Sequence, residues 1–177
     1  MIPESETRGN GVTLRPERGD DAASLHALHV ACFGGDEEAR LVDALRAGGN
    51  LRLSLVAEVD GELASHAAFS PATLEGAEEG LGLAPVATLE GQRRRGLAAA
   101  LVRLGLERCR AAGVPWVVVL GDPAYYGRFG FEPAGGRGLD CVFGGGDAFQ
   151  VLELVAGALP EGGGRVHYAP EFGALGG

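Results

Sequence analysis

Residues 83–120 constrain the fold of this chain more than any other stretch. An apolar segment at 83–89 leads into a basic turn, and a helical pattern over 97–112 follows at once. Gly113 ends the helix, and 114–120 is a continuous apolar run, as is typical of a strand buried on both faces. Two strands joined by a helical crossover are expected to pair in parallel. The stretch therefore predicts a strand–helix–strand unit of an α/β fold.

The turn at 91–96, Gly-Gln-Arg-Arg-Arg-Gly, indicates an anion site. Arginine is unfavourable at a helix N-terminus, where each cation loses roughly 0.3–1 kcal/mol against the macrodipole. An anion on the free N–H groups of the first helical turn would reverse that penalty. Gly96 would let a phosphate approach the backbone closely. A solvated basic turn is the alternative, and the turn by itself does not decide between the two.

Composition limits the class of partner. The net charge is -9, and each of the 15 basic residues is arginine. An acidic chain is a poor partner for nucleic acid or an anionic membrane. Arg93, Arg94 and Arg95 therefore indicate a local binding site for one small anion. The 3 cysteines are widely spaced, which fits a reducing compartment. No apolar run approaches the roughly 18 residues of a membrane span, so a cytoplasmic location is expected.

The remaining patterns predict a single domain over 11–177, preceded by a mobile tail over 1–10. The clearest hairpin joins strands 54–59 and 62–70 through Asp60-Gly61, a pair that suits a two-residue turn. Loops are expected at 71–79 and 135–146. Further predicted elements are a strand at 12–15, a helix capped by Asp20 or Asp21, a helix over Glu37–Ala47, a strand at 80–89, a short helix capped by Asp122, a strand at 149–155 and an edge strand at 166–168. Together they predict a mixed, partly antiparallel sheet with helices on both faces.

Two motifs resemble those of the GNAT superfamily of acetyl-CoA-dependent N-acetyltransferases, specifically its small bacterial single-domain members. Arg93-x-x-Gly96-x-Ala98 is similar to the pyrophosphate loop of that superfamily. Residues 120–131, Leu-Gly-Asp-Pro-Ala-Tyr-Tyr-Gly-Arg-Phe-Gly-Phe, resemble its second signature, a tyrosine on a short helix before a Gly-Phe pair. The similarity extends over nearly the whole chain.

The resemblance implies acetyl-CoA as the acetyl donor. The parallel strands would splay apart, and the pantetheine arm would lie between them. The backbone of the first strand would pair with the pantetheine amides, and the basic loop would hold the pyrophosphate. The implied cofactor-binding residues are Val86, Ala87 and Thr88 on the strand, and Arg93, Arg94, Arg95, Gly96, Leu97 and Ala98 in the loop.

The resemblance also implies direct attack by a primary amine on the thioester, with Tyr126 protonating the departing CoA thiolate. A phenol of pKa near 10 stays protonated at neutral pH. The alternative is that Tyr126 is a packed aromatic residue and that Tyr125 or solvent supplies the proton. The oxyanion would be stabilised by a backbone N–H near Val86 or Ala87.

The general base stays open at this stage. His66, Glu90 and Asp122 are candidates, and a water relay is an equal alternative. His26, His29 and Cys32 share a helical spacing that could suggest a metal, but without a fourth ligand nearby they are interpreted as one helix face. No metal site is expected.

The expected acceptor is a small-molecule or peptide amine, with no nucleic-acid or membrane partner, and a homodimer is left open. A rival hypothesis is a catalytically silent acyl-CoA-binding module that acts in regulation or interaction. A third is a structural domain without a cofactor. The pyrophosphate loop would be kept in the first two cases, so binding alone does not separate them. The loops expected to shape the acceptor pocket carry no diagnostic group.

Overall fold

The computed structural model of the protein describes residues 4–176, and their side chains over 4–173. The helices are α1 (Ala22–Phe33), α2 (Glu37–Ala47), α3 (Leu97–Ala111) and α4 (Pro123–Tyr126). The strands are β1 (Glu6–Arg8), β2 (Val12–Pro16), β3 (Leu53–Val59), β4 (Glu62–Thr73), β5 (Gly80–Thr88), β6 (Trp116–Leu120), β7 (Glu132–Pro133), β8 (Leu139–Cys141), β9 (Phe149–Glu153) and β10 (Gly164–Tyr168).

Backbone contacts divide the chain into two compact units. The first contains the residues up to Phe69, then Pro85–Leu106, and the segment that starts at Pro170. The second contains Ser70–Ala84 and Glu107–Ala169. The chain passes from one to the other within β4, within β5 and within α3. The single domain predicted for 11–177 stays a prediction.

The first unit is built on antiparallel pairing of β1, β2, β3 and the start of β4. Asp60 and Gly61 form the predicted two-residue turn between β3 and β4, with φ angles of 52° and 84°. Helices α1 and α2 pack on each other and bury one apolar side each. Gly105 of α3 faces the ring of Phe69 so closely that a side chain at 105 would overlap it.

The second unit contains the parallel pair that the crossover predicted. Residues 81–83 of β5 pair in parallel with 117–119 of β6, and β6 pairs antiparallel with β9. The last β5–β6 pair is Leu83↔Val119, and Pro85, soon after it in β5, has no N–H to donate. Gly80 and Gly82 allow the rings of Trp116 and Tyr168 to lie against the β5 backbone. The mixed α/β sheet is therefore as predicted.

Several predicted boundaries are wrong. Part of the predicted tail is strand β1, because Asn10 and Gly11 turn the chain back with φ angles of 68° and 74° and pair it with β2. Met1–Pro3 lie outside the described residues. Strand β4 runs on to Thr73, since the pairing of Ala72 and Thr73 with β10 extends it into the predicted loop 71–79.

The glycine-rich segment 135–146 is also more ordered than predicted. It contains the end of a 3-10 turn, Ala134–Arg137, and strand β8, which pairs in parallel with β10. Strand β10 pairs with β8 through residues 164–166 and with β4 through residues 167–168, so the predicted strand 166–168 has two partner strands. Among the helices of residues 4–176, none combines the length and the apolar composition that crossing a bilayer requires.

Asp21 does not cap α1 with its side chain, although it lies at the predicted position. Its carboxylate accepts both Arg15 Nη1 at 2.7 Å and Arg15 Nη2 at 3.0 Å, together with the Arg18 N–H at 2.6 Å. The guanidinium of Arg15 is the main reason why the pKa of Asp21 lies below its usual range. Asp21 thus joins the start of α1 to β2.

Candidate cofactor and catalytic site

The basic loop between β5 and α3 has the backbone of an anion-binding cradle. A single 3-10 turn, Glu90–Gln92, is followed by extended Arg93, then by Arg94 with φ of 67° and Gly96 with φ of 73°. A non-glycine residue in the left-handed region is uncommon and marks a constrained position. Left-handed residues among right-handed or extended ones turn successive N–H groups towards a common point.

Those N–H groups are free to bind a ligand. The first hydrogen bond that leads into α3 runs from the Ala100 N–H to the Gly96 carbonyl, at 3.0 Å. Within residues 4–176, the N–H groups of 94–99 donate to no other group of the protein. A helix of this length therefore begins with an uncompensated set of donors and the positive end of its dipole. This is the local chemistry that binds phosphate.

Space alone does not explain the glycine at 96. A β-carbon built on Gly96 would meet nothing within 4 Å, whereas its φ of 73° is one that other L-residues rarely adopt. The arginine side chains of the loop are exposed. Arg93 Nε lies 3.4 Å from the Thr88 carbonyl, and Arg95 Nη1 donates to Gln92 Oε1 at 2.6 Å. These two contacts keep two guanidinium groups beside the cradle.

At the end of β5, the backbone N–H and C=O groups of successive residues point alternately to the two edges of the strand. The Leu89 N–H donates to the Ala64 carbonyl at 2.9 Å, and the Ala87 carbonyl accepts Ser65 Oγ at 2.8 Å. Residues 87 and 89 therefore direct their backbone groups at β4, and the backbone groups of Val86 and Thr88 point to the opposite edge. Ser65, to which the sequence assigned no role, fixes this arrangement through a second contact, 2.8 Å to Thr88 Oγ1.

Tyr126 ends α4, a short helix that begins as predicted. Asp122 Oδ1 accepts the Ala124 N–H at 2.9 Å, and Pro123 occupies the first helical position. The Tyr126 ring contacts Phe131 edge-on, with 5.9 Å between centroids, and lies against Gly121. Burial, with a smaller effect of Tyr125, raises the pKa of Tyr126 to about 12. The hydroxyl has no hydrogen-bond partner within the described residues, so it can donate to a ligand.

Gln150 supports the turn on which Tyr126 rests. Its Nε2 donates to the Gly121 carbonyl at 3.1 Å and to the Ala148 carbonyl at 3.3 Å. The Gly121 N–H in turn donates to the Ala148 carbonyl at 3.0 Å. Gln150 is 1% exposed and lies between Phe149 and Val151, and a polar residue between two apolar ones is the local signal by which the sequence could have revealed it.

The three candidate general bases, His66, Glu90 and Asp122, have different surroundings. His66 is fully buried, and both of its ring nitrogens already have side-chain partners, His29 Nε2 at 2.8 Å and Ser54 Oγ at 2.7 Å. Burial, and then the nearby His29, lowers the pKa of His66 to about 3. Glu90 is exposed beside the loop, and Asp122 is the cap of α4.

His26, His29 and Cys32 lie on one helix but have separate surroundings. His26 Nδ1 is 2.7 Å from Asp43 Oδ2, whereas His29 is paired with His66. The described residues contain no cluster of His, Cys, Asp and Glu side chains that could hold a metal ion.

Comparison with known proteins finds acetyltransferases, two of them in complex with CoA or acetyl-CoA, in agreement with an anion-binding loop. The family model of the acetyltransferase (GNAT) domain matches residues 13–134. The uncharacterized N-acetyltransferase YhbS of Escherichia coli K12 is 43% identical over 162 residues, which cover 90% of this chain and 97% of that protein. The crystal structure of Escherichia coli YhbS in complex with CoA superposes with a TM-score of 0.87 at 41% identity, over 95% of each chain. A GNAT acetyltransferase from Brucella melitensis in complex with acetyl-CoA gives a TM-score of 0.77 at 38% identity, over 92% of this chain and 99% of that one.

The fold and the loop thus define an N-acetyltransferase of the GNAT type. The chain belongs to the GNAT acetyltransferase family. The predicted family, fold class and enzyme class, an acetyl-CoA-dependent N-acetyltransferase, are confirmed. The CoA and acetyl-CoA bound in the two relatives agree with the predicted acetyl donor.

Proposed function

We propose that the protein transfers an acetyl group from acetyl-CoA to the primary amine of a small molecule or peptide. The observation that carries the proposal is the run of unpaired N–H groups at 94–99, flanked by arginine side chains at the start of a long helix. Such a cradle matches a pyrophosphate in charge and in its number of acceptors. The relatives crystallised with CoA and acetyl-CoA support the same ligand.

The cofactor contacts follow from the directions of the backbone groups. The amides from Arg94 to Ala98, including those of Gly96 and Leu97, hold the pyrophosphate, and the side chains of Arg93, Arg94 and Arg95 add charge. Val86 and Thr88 direct their N–H and C=O groups to the edge of β5 away from β4, so they pair with the pantetheine amides. Ala87 directs its backbone to β4 and contributes only its side-chain surface. The oxyanion is therefore assigned to the Val86 N–H.

Tyr126 assists the departure of the thiolate. Its pKa of about 12 keeps the phenol protonated throughout the physiological range. A thiol has a pKa near 8.5, so complete proton transfer from Tyr126 is uphill by roughly 5 kcal/mol in the absence of substrate. Tyr126 therefore acts first as a hydrogen-bond donor that stabilises the developing thiolate, and it shares its proton as the carbon–sulfur bond breaks. The amine attacks directly, without an acetylated enzyme.

The experiment has two arms, binding and turnover. CoA or acetyl-CoA at a hundredfold excess over its Kd should stabilise the protein by about 2.7 kcal/mol, measured as a rise in Tm. Release of free CoA from acetyl-CoA should then depend on an amine from a panel of primary amines, with acetylated product found by mass spectrometry. Binding without turnover would indicate the silent acyl-CoA-binding module. No change in Tm with CoA would contradict the cofactor assignment itself.

A further inference from the structure

A chain of hydrogen-bonded side chains lies in the first unit and contains no residue of the basic loop. His29 Nε2 is 2.8 Å from His66 Nδ1, and His66 Nε2 is 2.7 Å from Ser54 Oγ. Ser54 Oγ donates to Glu17 Oε1 at 3.3 Å. Both imidazoles are fully buried, whereas Ser54 and Glu17 line an open cavity of about 280 Å³. The hydrogen-bonded side chains therefore connect a buried imidazole to a carboxylate that lines an open cavity.

The proton positions follow from the number of donors. Ser54 has one hydroxyl proton and the Glu17 carboxylate can only accept, so Ser54 Oγ accepts the proton of His66 Nε2. Burial keeps both imidazoles neutral at pH 7, since it is the main cause that lowers the pKa of His29 to about 4 and that of His66 to about 3. The Nδ1 of neutral His66 then accepts from His29 Nε2. If Ser54 Oγ instead donated its proton to His66 Nε2, a lone pair of Ser54 Oγ would face a lone pair of the Glu17 carboxylate.

This order leaves a buried lone pair on His29. Its Nδ1 has no hydrogen-bond partner among the described residues and is shielded from solvent. Orphaned buried acceptors are costly and mark sites where a donor is supplied by something else. The ring of Phe33 stacks on His29 with 5.9 Å between centroids and 3° between planes. Phe33 is 44% exposed, so the ring that stacks on His29 lies at the surface of the protein.

The chain lies beside the strand that the proposed function assigns to the cofactor. The hydrogen bond between the Leu89 N–H and the Ala64 carbonyl fixes the register of β4 against β5. Two residues along, His66 lies opposite Ala87 in this pair. The imidazole pair therefore flanks the segment next to Val86, whose N–H is assigned to the oxyanion.

We propose that His29 is the general base that deprotonates the acceptor ammonium, with His66, Ser54 and Glu17 as a proton relay behind it. This proposal rests on the proposed acetyl transfer. As the ammonium gives a proton to His29 Nδ1, the proton on His29 Nε2 shifts to His66 Nδ1. The proton on His66 Nε2 shifts to Ser54 Oγ, and the hydroxyl proton shifts to Glu17. The freed amine lone pair attacks the thioester carbonyl. As the carbon–sulfur bond breaks, the second proton of the attacking nitrogen replaces the proton that Tyr126 gives to the departing thiolate. After the amide leaves, the reverse shifts return the proton through His29 to water.

The relay explains how so deeply buried a base can act. A lone imidazolium at this depth would carry a desolvated charge, whereas the concerted shifts leave both imidazoles neutral and place the change of charge on Glu17. Glu17 accepts Arg46 Nη2 at 2.6 Å and Arg46 Nε at 3.1 Å, so the carboxylate is held in place.

The other charged groups near the imidazoles are already occupied. The charged or titratable groups near His29 are His26 on α1 and Asp43 and Arg46 on α2. Asp21, at the start of α1, influences the pKa of His66 through its charge. Asp43 is shared between His26 and Arg46, and Asp21 is paired with Arg15. None of them makes a hydrogen bond to His29 or His66 within the described residues, so the relay is the route open to a proton from His29.

Ser54→Ala cuts the relay at its middle, and Ser54→Thr keeps the hydroxyl. Ser70→Ala is the control, because it removes the same hydroxyl from a serine that is fully buried on β4 and whose hydroxyl has no partner within the described residues. With an amine that the wild type acetylates, kcat/KM at neutral pH should fall about tenfold or more in Ser54→Ala. Ser54→Thr and Ser70→Ala should stay close to the wild type. The CoA-induced rise in Tm, retained in all three, shows that each is folded.

The pH profile separates a relay from a merely structural role. The deficit of Ser54→Ala should shrink as the pH approaches the pKa of the amine, about 10, because a neutral amine needs no base. A Ser54→Ala variant with the wild-type rate and profile, or with the same deficit at every pH, overturns the proposal.

The tautomers provide a test that needs no turnover. Long-range ¹H–¹⁵N NMR spectra of histidine-labelled protein at pH 7 should show the proton on Nε2 of both His29 and His66. A proton on Nδ1 of either ring overturns the relay. Protein that binds CoA but acetylates no amine refutes the proposed function instead, and the spectrum still tests the proton order by itself.

Discussion

Arg94 and Gly96 determine the local shape of the cofactor loop, because both have left-handed backbone conformations. Glycine adopts such a φ freely, but for arginine it costs about 1–2 kcal/mol. The strain at Arg94 persists because the neighbouring 3-10 turn and α3 fix the residues on either side. The loop is therefore preorganised for an anion at some cost in stability.

Gly96→Asp should abolish CoA binding, because it puts a negative charge into the cradle. A residue with a β-carbon at a φ of 73° should also lower the free energy of unfolding by about 1 kcal/mol. Gly91→Asp is the matched control, since Gly91 precedes the run of free N–H groups and a β-carbon there meets nothing within 4 Å. Calorimetric titration with CoA measures both variants. Wild-type affinity in Gly96→Asp would place the pyrophosphate elsewhere.

Tyr126→Phe keeps the ring and its contact with Phe131 but loses the hydroxyl. The kcat should fall by roughly 10²–10⁴-fold, and the KM for acetyl-CoA should change little, because the lost interaction belongs to the transition state. In the wild type, the raised pKa of Tyr126 predicts no alkaline loss of kcat from this group until the pH nears 12. Steady-state kinetics with one good acceptor test both statements. A folded Tyr126→Phe variant with the wild-type kcat would show that Tyr126 has only a packing role.

Elements with strong local signals were predictable from the sequence. Helix α2 has the predicted bounds, α3 differs by one residue, and the β3–β4 hairpin and the cap of α4 are in place. Elements that depend on distant partners were not predictable. Strand β1 needs β2, and the end of β4 needs β10, so neither shows in its own residues. The candidate residues of the loop came from a contiguous motif, whereas Ser65 and Gln150 act across strands and belong to no such motif.

The turn between β6 and α4 should control Tyr126 through Gly121. A β-carbon at Gly121 would overlap the Tyr126 ring, so Gly121→Ala must displace that ring or the turn. Overpacking of this kind typically costs about 1–3 kcal/mol, and kcat should fall by about tenfold or more. Gly127→Ala adds the same methyl group at the end of α4 where nothing lies within 4 Å, and it should behave like the wild type. Equal kcat values for the two variants would show that the position of Tyr126 does not matter.

Most of the buried polar side chains of the described residues lie in the first unit and have hydrogen-bond partners. Arg15 and Asp21 form a buried ion pair, and His29 and His66 are buried next to each other. A chain with a net charge of -9 and no lysine relies on arginine for its ion pairs. Buried ion pairs and imidazoles contribute little net free energy at neutral pH, but they make stability depend strongly on pH.

The protein should lose stability on acidification well before its carboxylates titrate. Burial lowers the pKa of His29 to about 4 and that of His66 to about 3, whereas an unfolded histidine titrates near 6.5. Below about pH 6.5 the unfolded chain therefore binds two protons that the folded protein excludes, and the free energy of unfolding should fall by up to about 2.7 kcal/mol per pH unit. This stability is complete above about pH 6.5 and is lost towards pH 4, where the lowered pKa of Asp21 extends the decline. Urea unfolding at a series of pH values measures the slope, and His66→Gln should remove about half of it. A free energy of unfolding that stays level between about pH 6.5 and 5 would mean that both imidazoles accept protons in the folded state, contrary to their burial.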